Sequence, residues 1–257
     1  MASRSQRVSR IAPSGETHAL ERAIAIEAPV AIEINGLGYA VMMMTPQDLE
    51  DFAVGFCLSE RLITQPGLID FVEPASTENG IVLRIGLDKS CSADLEARAR
   101  RRVSESSCGL CGIENLEAVM QPLPPIARPV RPSPEALFSA LEALQAHQPL
   151  NQQTGGVHAA AAVSSKGDIR LVREDVGRHN AFDKLIGAMA RAGLSWEDGF
   201  TLLSSRCSYE LVEKAVIAGC PALATVSVAT SLAIDRAKQA GLPLTMLTRH
   251  DALLKVV

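Results

Sequence analysis

The sequence predicts an α/β protein, with a three-layer α/β domain in the C-terminal half and a smaller α+β segment before it. Strand-like and helix-like runs alternate from about residue 157 to the end, which favours parallel strands joined by helices on both faces of a sheet. Six of the fourteen prolines lie between Pro122 and Pro134, where regular structure is disfavoured. With 257 residues, 47% of them hydrophobic, the chain is long enough to bury a large core.

These patterns divide the chain into four parts. We expect a mobile tail over residues 1–20 and an α+β segment carrying the cysteine loop over residues 21–121. A proline-rich linker covers residues 122–134, and the α/β domain covers residues 135–257.

In the N-terminal segment, short apolar runs predict strands, and the Asn35-Gly36 dipeptide predicts a tight hairpin turn. Thr45 is predicted to cap a helix whose first turn holds Pro46 and Asp48, with Cys57 as a core residue of that helix. The strands are expected at residues 23–26, 31–34, 39–42 and 80–85, and a charged helix at 93–103.

In the C-terminal half, Ser133 is predicted to cap a helix that begins at Pro134. A hairpin is expected next, with strands at 157–163 and 169–172 around a turn at Lys166-Gly167-Asp168. The later helices are expected at about 180–192, 208–218 and 231–240, and the strands at 200–203, 222–227 and 244–247.

Composition limits the class of protein. The formal net charge of −4 argues against a general nucleic-acid binder, since such proteins are usually basic over a whole face. The sequence has no apolar stretch long enough to span a bilayer and no secretory signal at its start, so we expect a cytoplasmic protein without a membrane partner. Its six cysteines are scattered, unlike those of a small disulfide-rich domain.

Cys108 and Cys111 are the candidate reactive residues. They form a Cys-x-x-Cys pair in which Gly109 and Gly112 each follow a cysteine, and these glycines carry no side chain that would shield the sulfurs. Four arginines at 98, 100, 101 and 102 precede the pair; they are either a solvated helix end or an anion-binding cluster, and their closeness to the thiols favours the cluster. Sulfur, redox and metal chemistry all remain open for such a pair.

A second candidate site lies in the loops that follow the predicted strands. In an open α/β sheet, ligands bind beyond the carboxyl ends of the strands, and helix N-termini with arginines and hydroxyls suit phosphate groups. Each loop alone is more often mere helix capping, but several converging on one sheet edge favour a ligand site. The candidate residues are Gly155, Gly156, His158, Asp175, Gly177, Arg178, His179, Asn180, Ser204, Ser205, Arg206, Thr230 and Ser231.

Other sites fit the spacing less well. A structural zinc site usually needs two ligand pairs, and Cys108 and Cys111 form the single close cysteine pair, so we expect no metal. A zinc deaminase would need a His-x-Glu element followed by Pro-Cys-x-x-Cys, and neither occurs. The pair does not lie in a small βαβ unit, as it would in a thioredoxin, and there is no Walker A loop.

Several motifs in order resemble one family, the formate dehydrogenase accessory sulfurtransferases of the FdhD/NarQ type. They follow Arg101-Arg102 and are SSCGLCG at 106–112, TGGVHAA at 154–160, REDVGRHNAFDK at 173–184, SSRCSYELV at 204–212 and TSLA at 230–233. The resemblance implies a cytidine-deaminase-like mixed sheet without the deaminase zinc. It also implies a sulfurtransferase with a cysteine persulfide intermediate on Cys108, assisted by Cys111.

The resemblance implies partners and a cargo as well. Sulfur would come from a cysteine desulfurase and pass to the molybdenum cofactor of a molybdenum-dependent formate dehydrogenase. The bound substrate would be Mo-bis(molybdopterin guanine dinucleotide), with guanine nucleotide as a surrogate ligand, and we expect a homodimer. In the family the last strand ends in a glycine- and arginine-containing turn that binds cofactor; here the corresponding residues are Leu247, Thr248, Arg249, His250, Asp251 and Ala252, with the first arginine alone retained.

Three hypotheses therefore follow from the sequence. The first is sulfur transfer through Cys108. The second is a non-catalytic chaperone that binds and delivers the molybdenum cofactor. The third is a structural zinc module, which predicts stoichiometric zinc in the purified protein.

Overall fold

The structure is a computed structural model that describes residues 1–91, 95, 121–249 and 252–256, with the backbone alone at 247–249. The cysteine loop with Cys108 and Cys111, the arginines before it and all but one residue of the helix expected at 93–103 lie outside the described residues. The described strands form a two-stranded, a four-stranded and a six-stranded sheet.

The first sheet is a hairpin of β1 (Ser3–Ile11) and β2 (Thr17–Ala25), paired antiparallel along their full length. A mobile tail was expected over residues 1–20, and the structure has regular strands there instead. Polar residues occupy both faces of this hairpin, so the sequence lacks the alternation of apolar and polar residues that normally marks a strand. Its backbone pairing and polar contacts, such as the bond from Ser5 to Glu21 at 2.7 Å, leave no apolar pattern in the sequence.

The four-stranded sheet has the order β4-β3-β6-β5. Its strands are β3 (Ala28–Ile34), β4 (Leu37–Met44), β5 (Ile69–Thr77) and β6 (Gly80–Leu87). The turn predicted at Asn35-Gly36 is confirmed, with φ of 49° and 79° at these residues, as a two-residue hairpin turn requires. The edge strand β5 was not predicted because Asp70, Glu73 and Pro74 interrupt its apolar pattern.

Helix α1 (Leu49–Ser59) covers one face of the small sheet with the stacked rings of Phe52 and Phe56. The prediction that Thr45 caps this helix is wrong. Asp48 occupies the cap position in a left-handed conformation, and its side chain makes no capping bond. Thr45 is fully buried and accepts a hydrogen bond from the backbone N–H of Val176, because it joins the small sheet to the C-terminal half.

The six-stranded sheet has the order β12-β11-β10-β9-β7-β8. Strands β9, β10 and β11 run parallel, as predicted, while β7 is antiparallel to β8 and β9, and β12 is antiparallel to β11. The bounds are β7 (His158–Val163), β8 (Ile169–Asp175), β9 (Phe200–Leu203), β10 (Leu223–Thr225), β11 (Leu244–Arg249) and β12 (Ala252–Lys255). The predicted hairpin of β7 and β8 is thus confirmed.

Helices cover both faces of this sheet. The helices are α2 (Pro134–Leu144), α3 (Pro149–Thr154), α4 (Arg178–Arg191), α5 (Tyr209–Ile217) and α6 (Ser231–Ala240). Ala159 and Ala161 pack with α2, whereas Ala160 and Ala162 pack with α4, α5 and α6 on the other face. The Oγ atom of Ser133 accepts a bond of 3.2 Å from the N–H of Ala136, which confirms the predicted cap of α2.

Helices α1 and α4 cross at two glycines and so join the two larger sheets. A Cβ atom at Gly55 would stand 1.8 Å from the carbonyl oxygen of Asp183, and one at Gly187 would stand 1.8 Å from that of Asp51. Beside the crossing, the buried Asp183 carboxylate accepts bonds from Ser59 at 2.7 Å and from Lys214 at 2.9 Å. The crossing therefore fixes the position of α4, whose N-terminus borders the candidate site. No described helix is long and apolar enough to cross a membrane.

Candidate functional site

The candidate loops lie along one edge of the six-stranded sheet. The parallel strands β9 and β10 both end there, and the antiparallel β7 begins there, because Ala160, near the start of β7, pairs with Leu203 at the end of β9. His158 pairs in turn with Asp175 at the end of β8. The N–H of Ala159 donates to Ser204 Oγ at 2.8 Å, which ties the start of β7 to the end of β9. A bridge between Cys207 and Ala229 joins the next two loops. The topology thus brings together the loops predicted from the sequence.

Asp175 lies behind these loops rather than on their surface. Its Oδ2 atom accepts bonds from Lys184 Nζ at 2.5 Å and from the N–H of Thr45 at 3.1 Å. Its Oδ1 atom accepts from the N–H of Gly177 at 2.7 Å and from Asn180 Nδ2 at 3.1 Å. All four donors point at a carboxylate that is fully buried, so the structure gives Asp175 a supporting role.

Asn180 and Lys184 extend this support to the small sheet. Asn180 Nδ2 also donates to the carbonyl oxygen of Met43 at 2.9 Å, and Lys184 Nζ donates to that of Thr45 at 2.9 Å. Burial lowers the pKa of Lys184, and the Asp175 carboxylate opposes that effect. We call Thr45, Asp175, Asn180 and Lys184 the buried clamp; it holds the β8–α4 turn and the start of α4, residues 176–179, against the end of β4.

Arg178, at the start of α4, has an unpaired donor. Its Nε atom is buried and has no hydrogen-bond partner within the described residues. Partial burial of the His158 imidazole lowers its pKa, and the positive charge of Arg178 lowers it further. Since buried N–H donors are normally paired, the orphaned Nε is a candidate donor to an acceptor supplied by a ligand.

His179 connects the starts of α4 and α5. Its Nε2 atom lies 3.1 Å from Ser208 Oγ and 2.8 Å from Glu210 Oε2. The hydrogen bond from His179 is the largest cause of the lowered pKa of Glu210. The carboxylate thus remains charged and orients the imidazole beside Arg178.

Some of the remaining loop residues are buried and others are exposed to solvent. Ser205 is buried and donates to the carbonyl oxygen of Arg206, whereas Arg206 itself is exposed. Thr230 Oγ1 caps α6 by accepting from the N–H of Ala233, and Ser231 is exposed. A Cβ atom at Gly156 would meet nothing within 4 Å. Gly156, Arg206 and Ser231 therefore border open space at this edge.

The predicted terminal part of the site lies at the end of β11, which is parallel to β10 and ends at the same edge. Leu247, Thr248 and Arg249 complete that strand, and the exposed Ala252 begins β12. His250 and Asp251 lie outside the described residues.

Three of the four described cysteines are unsuited to nucleophilic chemistry. Burial raises the pKa of Cys57 and of Cys207 to about 12, and that of Cys220 to about 11. Such thiols carry almost no thiolate at neutral pH. The predicted core position of Cys57 is confirmed, and Cys207 is buried as well. Cys91 is partly exposed. The described residues contain no group of three or more His, Cys, Asp or Glu side chains arranged to hold a metal ion.

A cleft of the described residues lies elsewhere. It has a volume of about 970 Å³ and is lined mainly by apolar side chains, including Leu58, Met189 and Trp196. These residues lie toward the C-terminal ends of α1 and α4, away from the loops of the candidate site.

Sequence reasoning missed the residues that support the site from behind. Lys184 is fully buried, but in the sequence it resembles any helical lysine. Thr45 looks like a helix cap, and Glu210 like an ordinary charge in a first helical turn. Their roles depend on contacts across more than a hundred residues in the clamp, and across 31 in the pair of His179 with Glu210.

Comparison with known proteins gives a consistent result. A model of the FdhD/NarQ family matches residues 25–255. A protein of Xanthomonas campestris pv. campestris (strain B100) named "Sulfur carrier protein FdhD" is 45% identical over 241 residues, covering 93% of this chain and 86% of the relative. A protein of the same name from Variovorax paradoxus (strain S110) is 45% identical over 231 residues, covering 90% and 83%.

A solved structure has the same fold. It is described as that of a candidate formate dehydrogenase accessory protein from Desulfotalea psychrophila, and it matches with a TM-score of 0.76 at 24% identity. The match covers 100% of this chain and 97% of the other. The mixed α/β architecture described above is therefore that of this accessory protein.

Proposed function

Since the chain belongs to the FdhD/NarQ family, we propose that it is a sulfur carrier in the maturation of a formate dehydrogenase. The observation that carries this proposal is the 45% identity, over 93% of the chain, to relatives named sulfur carrier proteins. The Cys-x-x-Cys pair at Cys108 and Cys111 supplies a chemical group able to hold sulfur.

The proposed transfer begins with a cysteine desulfurase that carries a persulfide. The Cys108 thiolate attacks the terminal sulfur, a new S–S bond forms, and the donor's S–S bond breaks as its cysteine leaves as a thiolate. With Cys111 as the resolving thiol, its thiolate attacks Cys108 Sγ, a Cys108–Cys111 disulfide forms, the persulfide S–S bond breaks, and the terminal sulfur leaves as sulfide for the acceptor. With Cys111 as a second carrier, its thiolate attacks the terminal sulfur instead, a persulfide forms on Cys111, and Cys108 leaves as a thiolate. This makes the protein a sulfurtransferase.

The described cysteines favour this assignment. The raised pKa values of Cys57, Cys207 and Cys220 keep these thiols protonated at neutral pH, so they compete poorly for the donor's sulfur. Cys91 is partly exposed and serves as the control in the loading experiment.

The proposed sulfur acceptor is Mo-bis(molybdopterin guanine dinucleotide), bound as substrate along the carboxyl edge of the six-stranded sheet. The orphaned Nε of Arg178 and the exposed Arg206 offer donors for phosphate oxygens. Guanine nucleotide would serve as a surrogate ligand. The proposed surface is completed by Gly155, Gly156, His158, Gly177, His179, Ser204, Ser205, Thr230, Ser231 and residues 247–252.

We also propose partners, a compartment and an oligomeric state for the chain. The partners would be a cysteine desulfurase and a molybdenum-dependent formate dehydrogenase, and the compartment the cytoplasm. A homodimer would suit a cofactor with two pterin halves. The order of strands and helices is also proposed to follow the layering of cytidine deaminases, with the cysteine loop on the smaller segment.

Sulfur loading tests the first step. The full chain is incubated with a cysteine desulfurase and cysteine, and intact mass followed by peptide mapping locates the added sulfur. We expect one added sulfur atom on Cys108, its loss in Cys108→Ser and its retention in Cys91→Ser. An unchanged mass of the wild-type chain, or equal loading of Cys108→Ser, would contradict sulfur transfer through Cys108.

The same variants distinguish the alternatives. A chaperone that only binds and delivers cofactor should still activate formate dehydrogenase when Cys108 and Cys111 are both replaced by serine, whereas a sulfur carrier should not. Stoichiometric zinc in the purified protein, lost in that double variant, would instead favour a structural zinc module.

A further inference from the structure

The hairpin of β1 and β2 has one basic face. Every second cross-strand pair points to this face, and the pairs between them point to the other side. Three of the pairs on this face are Arg4–Ile24, Gln6–Arg22 and Arg10–His18. The remaining pair on this face joins Val8 to Leu20, so the face carries three arginines and no carboxylate. Arg7 lies on the opposite face, paired with Glu21.

This basic face contacts the segment Thr154-Gly155-Gly156 of the candidate site. Arg22 Nη2 donates to the carbonyl oxygen of Thr154 at 3.4 Å and lies 3.3 Å from where a Cβ atom of Gly155 would stand. Ser3 makes a second contact with this region, through Gln153 at 3.5 Å. The next glycine, Gly156, borders open space on the way to His158.

The distribution of charge also points to an anionic ligand. Residues 1–25 carry four arginines and two glutamates, a formal charge of +2, whereas the whole chain has −4 and the remainder therefore −6. Arg4 and Arg22 are diagonal neighbours, roughly 7 Å apart at their backbones, and repel each other without a bound anion. Arg10 lies six residues further along β1, about 20 Å from Arg4.

We propose that Arg4 and Arg22 form an additional phosphate-binding subsite at the edge of the candidate site, beside Gly155 and Gly156. It would take a phosphate group of a nucleoside diphosphate held by the loops at Arg178 and Arg206. This inference rests on the proposed function, because the ligand class is the one proposed there. The subsite lies outside the family match, which begins at residue 25.

Titration of the full chain with GDP and with guanosine, at fixed salt, tests the subsite. Arg22→Gln should weaken GDP binding by about fivefold to tenfold, as expected for loss of a charge-assisted hydrogen bond, and leave guanosine binding unchanged. Arg4→Gln should weaken GDP binding to a smaller extent. Circular dichroism of each variant verifies that the fold is retained.

Two matched variants separate a local subsite from a general effect of charge. Arg7→Gln, on the other face, and Arg10→Gln, at the far end, remove the same charge and should leave GDP affinity unchanged. If either variant weakens GDP binding as much as Arg22→Gln does, or if Arg22→Gln binds GDP like the wild type, the subsite of Arg4 and Arg22 is refuted. Weaker GDP binding by Arg178→Gln would then show that the loop site remains. If the wild-type chain binds no GDP, the proposed ligand class fails, and the subsite with it.

Discussion

Replacing Gly187 by alanine tests whether the crossing of α1 and α4 holds the two larger sheets together. The new Cβ atom would stand 1.8 Å from the Asp51 carbonyl oxygen and 2.7 Å from the Gly55 nitrogen, both backbone atoms. Ordinary contact begins near 3.4 Å, so α1 would have to move back by about 1.6 Å. A flexible side chain could move aside, but here two helix backbones must separate.

The expected cost follows from opposing effects. Alanine favours the helix by about 1 kcal/mol relative to glycine. Overpacking costs about 1–3 kcal/mol, and separation of the helices strains the bonds of Asp51 with Arg191 and of Asp183 with Ser59. Hydrogen bonds to charged groups are worth about 1.5–3 kcal/mol each, so we expect a net loss of about 3 kcal/mol or more.

Urea denaturation followed by circular dichroism measures this loss as a lower transition midpoint. Gly38→Ala is the matched control, because a Cβ atom at Gly38 would meet nothing within 4 Å; its free energy of unfolding should stay within about 0.5 kcal/mol of the wild type. A Gly187→Ala protein as stable as the wild type would refute the close crossing.

Three further predictions concern the site. Lys184→Met leaves the buried Asp175 carboxylate without its cation and should lower the free energy of unfolding by about 3–5 kcal/mol in urea denaturation, whereas an effect below about 1 kcal/mol would contradict the buried pair. The folded-state pKa of His158 lies below 6.5, so the unfolded chain binds more protons near this pH. The free energy of unfolding therefore falls as the pH drops through 6.5 toward the folded-state pKa. His158→Gln should flatten this part of the curve of unfolding free energy against pH, and an unaltered curve would refute the assignment. Arg206→Ala should weaken guanine nucleotide binding severalfold without changing stability, and an unaltered titration would remove that loop from the site.

The elements of the C-terminal half could be predicted because local patterns and tertiary packing agree there. The strand at 200–203 and the helix at 231–240 have the expected bounds, and Ser133 caps its helix as its sequence context indicates. The strand at 200–203 is buried on both faces and is visible as a short apolar run, whereas the helix at 231–240 repeats its buried alanines with helical spacing, at Ala233, Ala237 and Ala240.

The features that the sequence did not predict correctly have a common physical origin. Thr45 has the sequence context of a cap, but a long-range bond with Val176 uses its hydroxyl instead. The β1–β2 hairpin depends on backbone pairing that side-chain polarity does not reveal. The loops of the candidate site were recognisable because helix N-termini and glycines are local features, whereas the buried clamp behind them was not, because its charges pair across the fold.

The buried clamp has a consequence for how this chain can be divided. A fragment that begins after the small sheet would lack Met43 and Thr45, which accept bonds from Asn180 and Lys184. The ammonium group of Lys184 would then face solvent or an empty space with one partner fewer, at the base of the loop that carries Arg178. The candidate site therefore depends on the small sheet, and gene fusions or truncations that separate the six-stranded sheet from residues 28–59 should lose the shape of the site before they lose the sheet.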